Sequence, residues 1–257
     1  MIHRCCLTLC LLMWSSGMAV SAVGADAPAA PAAGDEAPDN RPAEPPYDPT
    51  SHYDKQQVQG WTVLVNRDLL ADHAETAEAA LELLRVKLYE IERVVPGGAV
   101  AELKQVPIWL EVRDKRGRHP CACYHPSRGW LRSHGYNPAK AKAMEIANAA
   151  AFLEWTKQQP WMVLHELAHA YHDRVLGFEH EEIAAAWDKA KSGGKYDQVL
   201  RWSGKMTRHY ALNNPKEYFA EATEAYFGVN DFYPFVNAEL KQHDPDMHEL
   251  VGKLWER

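Results

Sequence analysis

The pentapeptide His165-Glu-Leu-Ala-His169 has the residue types and the spacing of a metal site that hydrolyses its substrate. In an α-helix, side chains four positions apart lie on one face, so both imidazoles can bind one ion at about 2 Å. Glu166 lies beside them, where its carboxylate can take a proton from a water molecule that zinc activates. The motif predicts a zinc-dependent hydrolase with His165 and His169 as metal ligands and Glu166 as general base.

A third protein ligand is expected, because a catalytic zinc ion usually has three of them and an open position for water. Glu217 and Glu221 are four residues apart and share a face if their segment is helical. One of these carboxylates can bind zinc, and the other can orient a ligand imidazole, as metal-bound histidines usually require. The spacing leaves open which carboxylate has which role.

Together the two stretches resemble a known family. The pentapeptide and the later run His209-Tyr-Ala-Leu-Asn-Asn-Pro-Lys-Glu-Tyr-Phe-Ala-Glu221 are similar to the zinc peptidase domain of anthrax lethal factor and its bacterial relatives. The Mlc titration factor family shares much of the second stretch. This resemblance, over roughly residues 160 to 235, implies a gluzincin-like metallopeptidase with a zincin-like fold. It also implies one Zn²⁺ ion per chain and a peptide or protein substrate.

The resemblance also implies roles for single residues. Glu217 matches the third zinc ligand, Glu221 the acid that supports the ligands from behind, and Tyr210 a donor that faces the transition state. A phenol can donate to the negative charge that develops on the substrate carbonyl oxygen. His209 is the alternative donor, since neighbouring residues on a strand point in opposite directions.

His172 follows His165 by seven residues and lies near the same helix face. One interpretation makes it a further supporting residue of the zinc site. The other is a polar helix end, where an imidazolium is favourable.

A second group of potential ligands lies in the segment His119-Pro-Cys-Ala-Cys-Tyr-His125, at alternate positions. On a flat strand such residues are nearly 7 Å apart, too far to share an ion unless the chain turns at Pro120 or Pro126. Three interpretations stay open: a second metal site, a strained Cys121–Cys123 disulfide, or cysteines that are packed or line a substrate cleft.

The net charge and the length of the longest apolar run argue against nucleic-acid binding and against a membrane-spanning helix. Lys and Arg number 28 against 35 Asp and Glu, and the net charge of -7 provides no basic field for nucleic acid. The longest apolar run, Leu7 to Trp14, is well short of the roughly 20 residues that a membrane-spanning helix needs. We therefore expect neither nucleic-acid binding nor a transmembrane segment.

The N-terminal region predicts export. Residues 1–25 have the basic start, apolar centre and small-residue end of a cleaved secretory signal peptide, so we expect a secreted or periplasmic protein. Residues 26–50 are rich in Ala, Pro and acidic residues, which predicts a disordered linker. Residues 51–257 are expected to form the metallopeptidase domain. Only two of the 5 cysteines remain after cleavage, too few for a disulfide framework.

Hydrophobic periodicity predicts an α+β domain. Strands are expected at Trp61–Val65 and Val106–Val112, while Ala143–Asn148 is either a strand or a helix. Helices are expected at Ala74–Val94, Trp161–Leu176, Glu179–Lys191, Asn214–Gly228 and from Pro245 onward. This order places a small mixed sheet in the N-terminal part. The helical C-terminal part then carries the His165–His169 helix and the glutamate-bearing helix.

These observations predict an exported, single-domain zinc metallopeptidase. One alternative is a zinc-binding domain that does not cleave, although such a domain has no need of the base Glu166. Another is a periplasmic metal-handling protein, for which 13 His residues give mild support and which would hold several labile ions. A third is a scaffold tethered through the Ala/Pro segment.

Overall fold

The computed structural model describes residues 46–256. The predicted signal peptide, and the predicted linker before residue 46, lie outside these residues. Asp48 accepts hydrogen bonds from Lys115 Nζ at 2.6 Å and from Asn66 Nδ2 at 3.1 Å. Contacts with the folded part therefore begin before residue 51, the predicted start of the domain. Within residues 46–256, every helix is too short or too polar to cross a lipid bilayer.

Five strands form one mixed sheet in the order β1-β2-β3-β5-β4. Their bounds are β1 Tyr53–Val58, β2 Trp61–Asn66, β3 Ile108–Leu110, β4 Ala122–Tyr124 and β5 Met144–Ile146. Strands β2, β3 and β5 are parallel, and β1 and β4 pair with them antiparallel at the two edges. The α+β class and the small mixed sheet are confirmed. The segment around Met144–Ile146 is a strand and not a helix.

Helices make up most of the C-terminal part, as predicted. The ten α-helices of the described residues are α1 Arg67–Asp72, α2 Ala74–Val94, α3 Gly97–Leu103, α4 Arg128–Ser133, α5 Ala149–Trp155, α6 Met162–Tyr171, α7 Glu181–Gly193, α8 Pro215–Phe227, α9 Asn237–His243 and α10 Pro245–Trp255. A two-stranded ribbon, β6 Val199–Leu200 with β7 Met206–Thr207, lies between α7 and α8. The predicted helix Trp161–Leu176 is α6 followed by a π-helical turn, His172–Leu176, that ends at Gly177 with φ 83°.

The main core lies between one face of the sheet and the helices α2 and α6. Val63, Ile108 and Met144 on the sheet are fully buried together with Leu84 of α2 and Leu164 of α6. Seven of the ten residues of α6 are apolar and eight of the ten are buried, so the helix packs against the domain on most sides. Its position in the middle of the domain fixes the orientation of any side chain that it carries.

The opposite face of the sheet carries a small apolar cluster and a buried ion network. Lys140 Nζ lies 2.5 Å from Glu111 Oε1 and 2.5 Å from Glu145 Oε1, and all three side chains are buried. Although burial raises the pKa of Glu145, His125 and Lys140 lower it by more, to about 2. Tyr53 also donates to Glu111 at 2.7 Å, so the first strand is attached to this network.

Candidate metal centre

Two helices position the predicted metal ligands. His165 and His169 project from one face of α6, and Glu217 lies in the first turn of α8, which packs against α6. The start of α8 is well defined, because the Asn214 side chain accepts hydrogen bonds from the backbone N–H groups of Lys216 and Glu217. The Asn214 cap therefore fixes the first turn of α8 and, with it, the position of the Glu217 carboxylate.

The three predicted ligand atoms form a nearly equilateral triangle. His165 Nε2 lies 3.1 Å from Glu217 Oε2 and 3.2 Å from His169 Nε2, and His169 Nε2 lies 3.2 Å from Glu217 Oε2. In a tetrahedral zinc site with bonds of about 2.0–2.1 Å, donor atoms are roughly 3.3 Å apart. The triangle thus has the size that three zinc ligands require, which leaves the fourth position of a tetrahedral site for water.

The protonation pattern at His165 also fits a cation. His165 Nδ1 lies 2.7 Å from Glu224 Oε1, and a carboxylate can only accept, so Nδ1 carries the proton. In the neutral imidazole, Nε2 then presents a lone pair to the Glu217 oxygen and to His169. Lone pairs that converge in this way repel one another unless a cation or a proton lies between them.

The charges of the site shift the pKa values of its members in opposite directions. Burial lowers the pKa of His165, but the carboxylates of Glu217 and Glu224 raise it well above its usual value. Burial raises the pKa of Glu217, but His169 and His165 lower it well below its usual value. Glu217 is therefore ionised at neutral pH, and without a metal ion a proton on His165 balances its charge; a metal ion that binds here takes the place of that proton.

Glu224, and not Glu221, is the hydrogen-bond partner of the His165 imidazole. Glu221 Oε1 is 3.8 Å from His165 Nδ1, beyond hydrogen-bond distance, while its other oxygen accepts from Asn230 Nδ2 at 2.9 Å. Glu224 occupies the position expected for Glu221 because it follows Glu217 by seven residues, close to two full turns of helix. The same seven-residue spacing in the sequence was the signal that could have identified it.

The predicted base Glu166 is held by the edge of the sheet. Its Oε2 accepts a hydrogen bond from the backbone N–H of Tyr124, in β4, at 2.8 Å. Helix α6 packs against this strand, so the strand determines where the carboxylate lies. Sequence reasoning did not identify β4 as a neighbour of the motif.

Of the two candidate donors, Tyr210 has a phenol close enough to Glu217, His165 and Glu166 for their charges to shift its pKa. Burial raises the pKa of its phenol, and the nearby Glu217 carboxylate raises it further, so it keeps its proton for donation. His209 is buried, stacks on Phe232 with ring centroids 4.9 Å apart, and accepts the Ala211 N–H at its own Nδ1. These residues lie at the start of a 3-10 helix and not on a strand, so strand alternation does not separate them.

His172 is completely buried between Phe178 and Phe219, with ring centroids 5.2 Å and 5.1 Å away. Neither of its ring nitrogens has a hydrogen-bond partner among the described residues. It is therefore neither an exposed helix end nor hydrogen-bonded to a predicted ligand.

The centre thus comprises a triangle of donors, a carboxylate behind His165, an anchored Glu166 and the nearby phenol of Tyr210. Comparisons with protein-family models, with curated proteins and with solved structures found no match to this chain.

Proposed function

We propose that this chain is an exported zinc metallopeptidase with a zincin-like fold, which hydrolyses peptide bonds in peptides or proteins. The observation that carries the proposal is the triangle of His165 Nε2, His169 Nε2 and Glu217 Oε2, with edges of 3.1–3.2 Å. The resemblance of the two motifs to lethal factor-type peptidases supports the choice of a peptide substrate. The N-terminal sequence supports export.

His165, His169 and Glu217 would hold one zinc ion, with Glu224 fixing the ring orientation of His165. When bound, zinc supplies Lewis acidity that acidifies water and polarises a substrate carbonyl. Glu166 accepts the proton of the attacking water and then delivers it to the leaving amine. The hydrogen bond from the Tyr124 N–H holds one oxygen of Glu166, which leaves the other for this transfer.

Tyr210 would donate its phenolic hydrogen bond to the oxygen on which negative charge develops. Such a donor stabilises the transition state more than the ground state, since the charge is larger there. The raised pKa of the phenol keeps it in the donating form at neutral pH.

The test compares the wild-type chain with Glu166→Gln, His169→Ala and the control Glu154→Gln. Glu154 is an exposed carboxylate that pairs only with the neighbouring Lys157 in the described structure. Each protein is assayed for zinc content and is incubated with a broad peptide library that is read by mass spectrometry. We expect Glu166→Gln to keep its zinc and to lose about 10²–10⁴-fold in cleavage rate.

His169→Ala should lose one zinc ion relative to the wild type and all cleavage, and Glu154→Gln should behave as the wild type. If His169→Ala keeps the same zinc content, the metal centre is assigned wrongly. If the wild type binds zinc at this centre and cuts no member of the library, the domain is a non-catalytic zinc-binding module and the proposal is overturned.

A further inference from the structure

A second group of potential metal ligands lies on the face of the sheet that carries the buried ion network of Lys140, apart from the centre described above. Cys121 and Cys123 are both free thiols, so the disulfide interpretation is wrong. The chain bends at Pro120, and this bend returns His119 over the strand that follows. The alternation on a flat strand that would keep these ligands nearly 7 Å apart therefore does not apply.

His119, Cys123 and His125 come together as a result. One donor atom from each lies within 4.8 Å of those of the other two. Cys123 Sγ is 3.4 Å from His125 Nε2, and the rings of His119 and His125 are 5.4 Å apart. In a tetrahedral zinc site, a sulfur and a nitrogen ligand are roughly 3.5 Å apart, so one edge already has the required length. The other two edges are no longer than 4.8 Å, and His119, on the loop before β4, would move to shorten them when an ion binds.

The polar atoms of this group are incompletely paired. His119 Nε2 is buried and has no hydrogen-bond partner among the described residues. A buried nitrogen without a partner costs free energy, and a bound ion removes that cost.

Glu145 and Cys123 both approach the same ring nitrogen of His125. Glu145 pairs with Cys123 across β5 and β4, so both side chains lie on one face of the sheet. Glu145 Oε2 is 2.5 Å from His125 Nε2, and the other Glu145 oxygen binds Lys140. His125 Nε2 thus lies between this carboxylate oxygen and the Cys123 thiol, so Glu145 is a candidate fourth ligand once the proton that it shares with His125 is displaced.

We propose that His119, Cys123 and His125 form a second metal site, which takes a zinc-class divalent transition ion. Two imidazoles and one thiolate select such an ion over magnesium or calcium, which prefer oxygen ligands. Glu145 or a water molecule completes the coordination.

The role of this site is structural. The ion joins the loop before β4 to β4 itself, and the next residue of that strand, Tyr124, donates to Glu166. Occupancy would therefore stabilise the strand against which the proposed base is held.

The test measures zinc per chain after equilibrium dialysis of the full chain under reducing conditions. The proteins are the wild type, Cys123→Ser, His119→Ala, His169→Ala and the control Cys121→Ser. Cys121 is the matched control because its buried thiol contacts Met162 Sδ at 3.5 Å. We expect two ions for the wild type and Cys121→Ser, and one ion for each of the other three variants.

A spectrum of the cobalt-substituted wild-type chain makes the test independent of any variant's folding. Sulfur is a ligand only at the second site, so a near-ultraviolet sulfur-to-cobalt charge-transfer band reports that site alone. We expect the band in the wild type and in His169→Ala, and its loss in Cys123→Ser. A wild type without the band, or a Cys123→Ser variant that keeps two zinc ions, overturns the proposal. Failure of the first centre would appear separately, as an unchanged metal content in His169→Ala.

Discussion

The buried Glu224 carboxylate accepts a hydrogen bond from His165 and does not itself contact the proposed metal position. Its replacement tests how much this hydrogen bond contributes to metal affinity. Glu224→Gln keeps the size of the side chain but removes its charge, so we expect zinc affinity at the first centre to fall about 10–100-fold. A competition titration with a zinc chelator measures this. Glu221→Gln is the matched control and should change affinity less. A larger loss in Glu221→Gln would assign the orienting role to Glu221.

Tyr210 and His209 can be separated by kinetics and stability. Tyr210→Phe removes only the hydroxyl, and we expect kcat to fall about 10²–10³-fold with zinc content unchanged. His209→Gln should mainly lower the melting temperature, because the imidazole caps a 3-10 helix in the core. If His209→Gln abolishes cleavage in a stable protein while Tyr210→Phe cleaves normally, His209 is the donor.

The buried His172 side chain has no hydrogen-bond partner within residues 46–256, so the domain should become more stable without it. We expect His172→Phe, or the smaller His172→Leu, to raise the free energy of unfolding at pH 7 by about 1–2 kcal/mol. Urea denaturation measures the change. Destabilisation by both substitutions would mean that the imidazole makes a stabilising interaction.

His172 should also make the folding stability of the domain decrease as the pH falls. Burial lowers the pKa of His172 to about 3, helped by the positive fields of His169, His180 and Lys216 and opposed by Asp173. Because the folded pKa lies below the value of 6.5 for an exposed histidine, the unfolded chain binds the proton first as the pH falls. Stability should therefore decline below about pH 6.5 in the wild type, and less steeply in His172→Phe.

At the scale of elements, the N-terminus of α8 joins helix stability to metal binding. Asn214→Ala removes the cap of the turn that carries Glu217, and we expect a loss of about 1 kcal/mol in stability together with weaker zinc binding. Asn148→Ala is the matched control, since Asn148 caps α5 through the Ala151 N–H but lies on a different helix. It should lose similar stability and keep its zinc affinity. Equal zinc affinity in both variants would contradict this coupling.

Sequence patterns predicted the elements that have their own signals. Helix α2 has apolar residues at helical spacing, and α8 and α10 begin at Pro215 and Pro245. Strand β1 was not predicted, because its Asp54-to-Gln57 stretch is polar and becomes a strand only by pairing with β2.

His165 and His169 could be predicted from spacing alone, since residues four apart on one helix meet whatever the tertiary fold is. Glu217 lies on a different helix, and only the resemblance singled it out from Glu221. The contact of Glu166 with β4 depends on how distant segments pack, and the approach of His119 to Cys123 depends on the bend at Pro120. Local spacing does not contain that information, and the roles of these neighbours emerged only from the fold.

At the scale of the whole molecule, Lys140 forms buried ion pairs with Glu111, directly after β3, and with Glu145 of β5, and Glu111 also accepts a hydrogen bond from Tyr53 of β1. Lys140→Met would leave Glu111 and Glu145 buried without their cation, and we expect a loss of about 3–5 kcal/mol. Urea denaturation measures it against Lys157→Met, which breaks an exposed pair and should cost about 1 kcal/mol or less. Similar losses in the two variants would show that the buried pair contributes no more than a surface one.

The two edge strands of the five-stranded sheet, β1 and β4, affect the tendency of the protein to aggregate at high concentration. Strand β4 is only three residues long, and the Tyr124 N–H is already occupied by Glu166. Strand β1, at the other end, exposes Asp54, Lys55 and Gln57 to solvent. Short or charged outer strands are poor templates for cross-chain pairing. The hydrogen bond that holds the proposed base thus also occupies an edge N–H group with which another chain could otherwise pair.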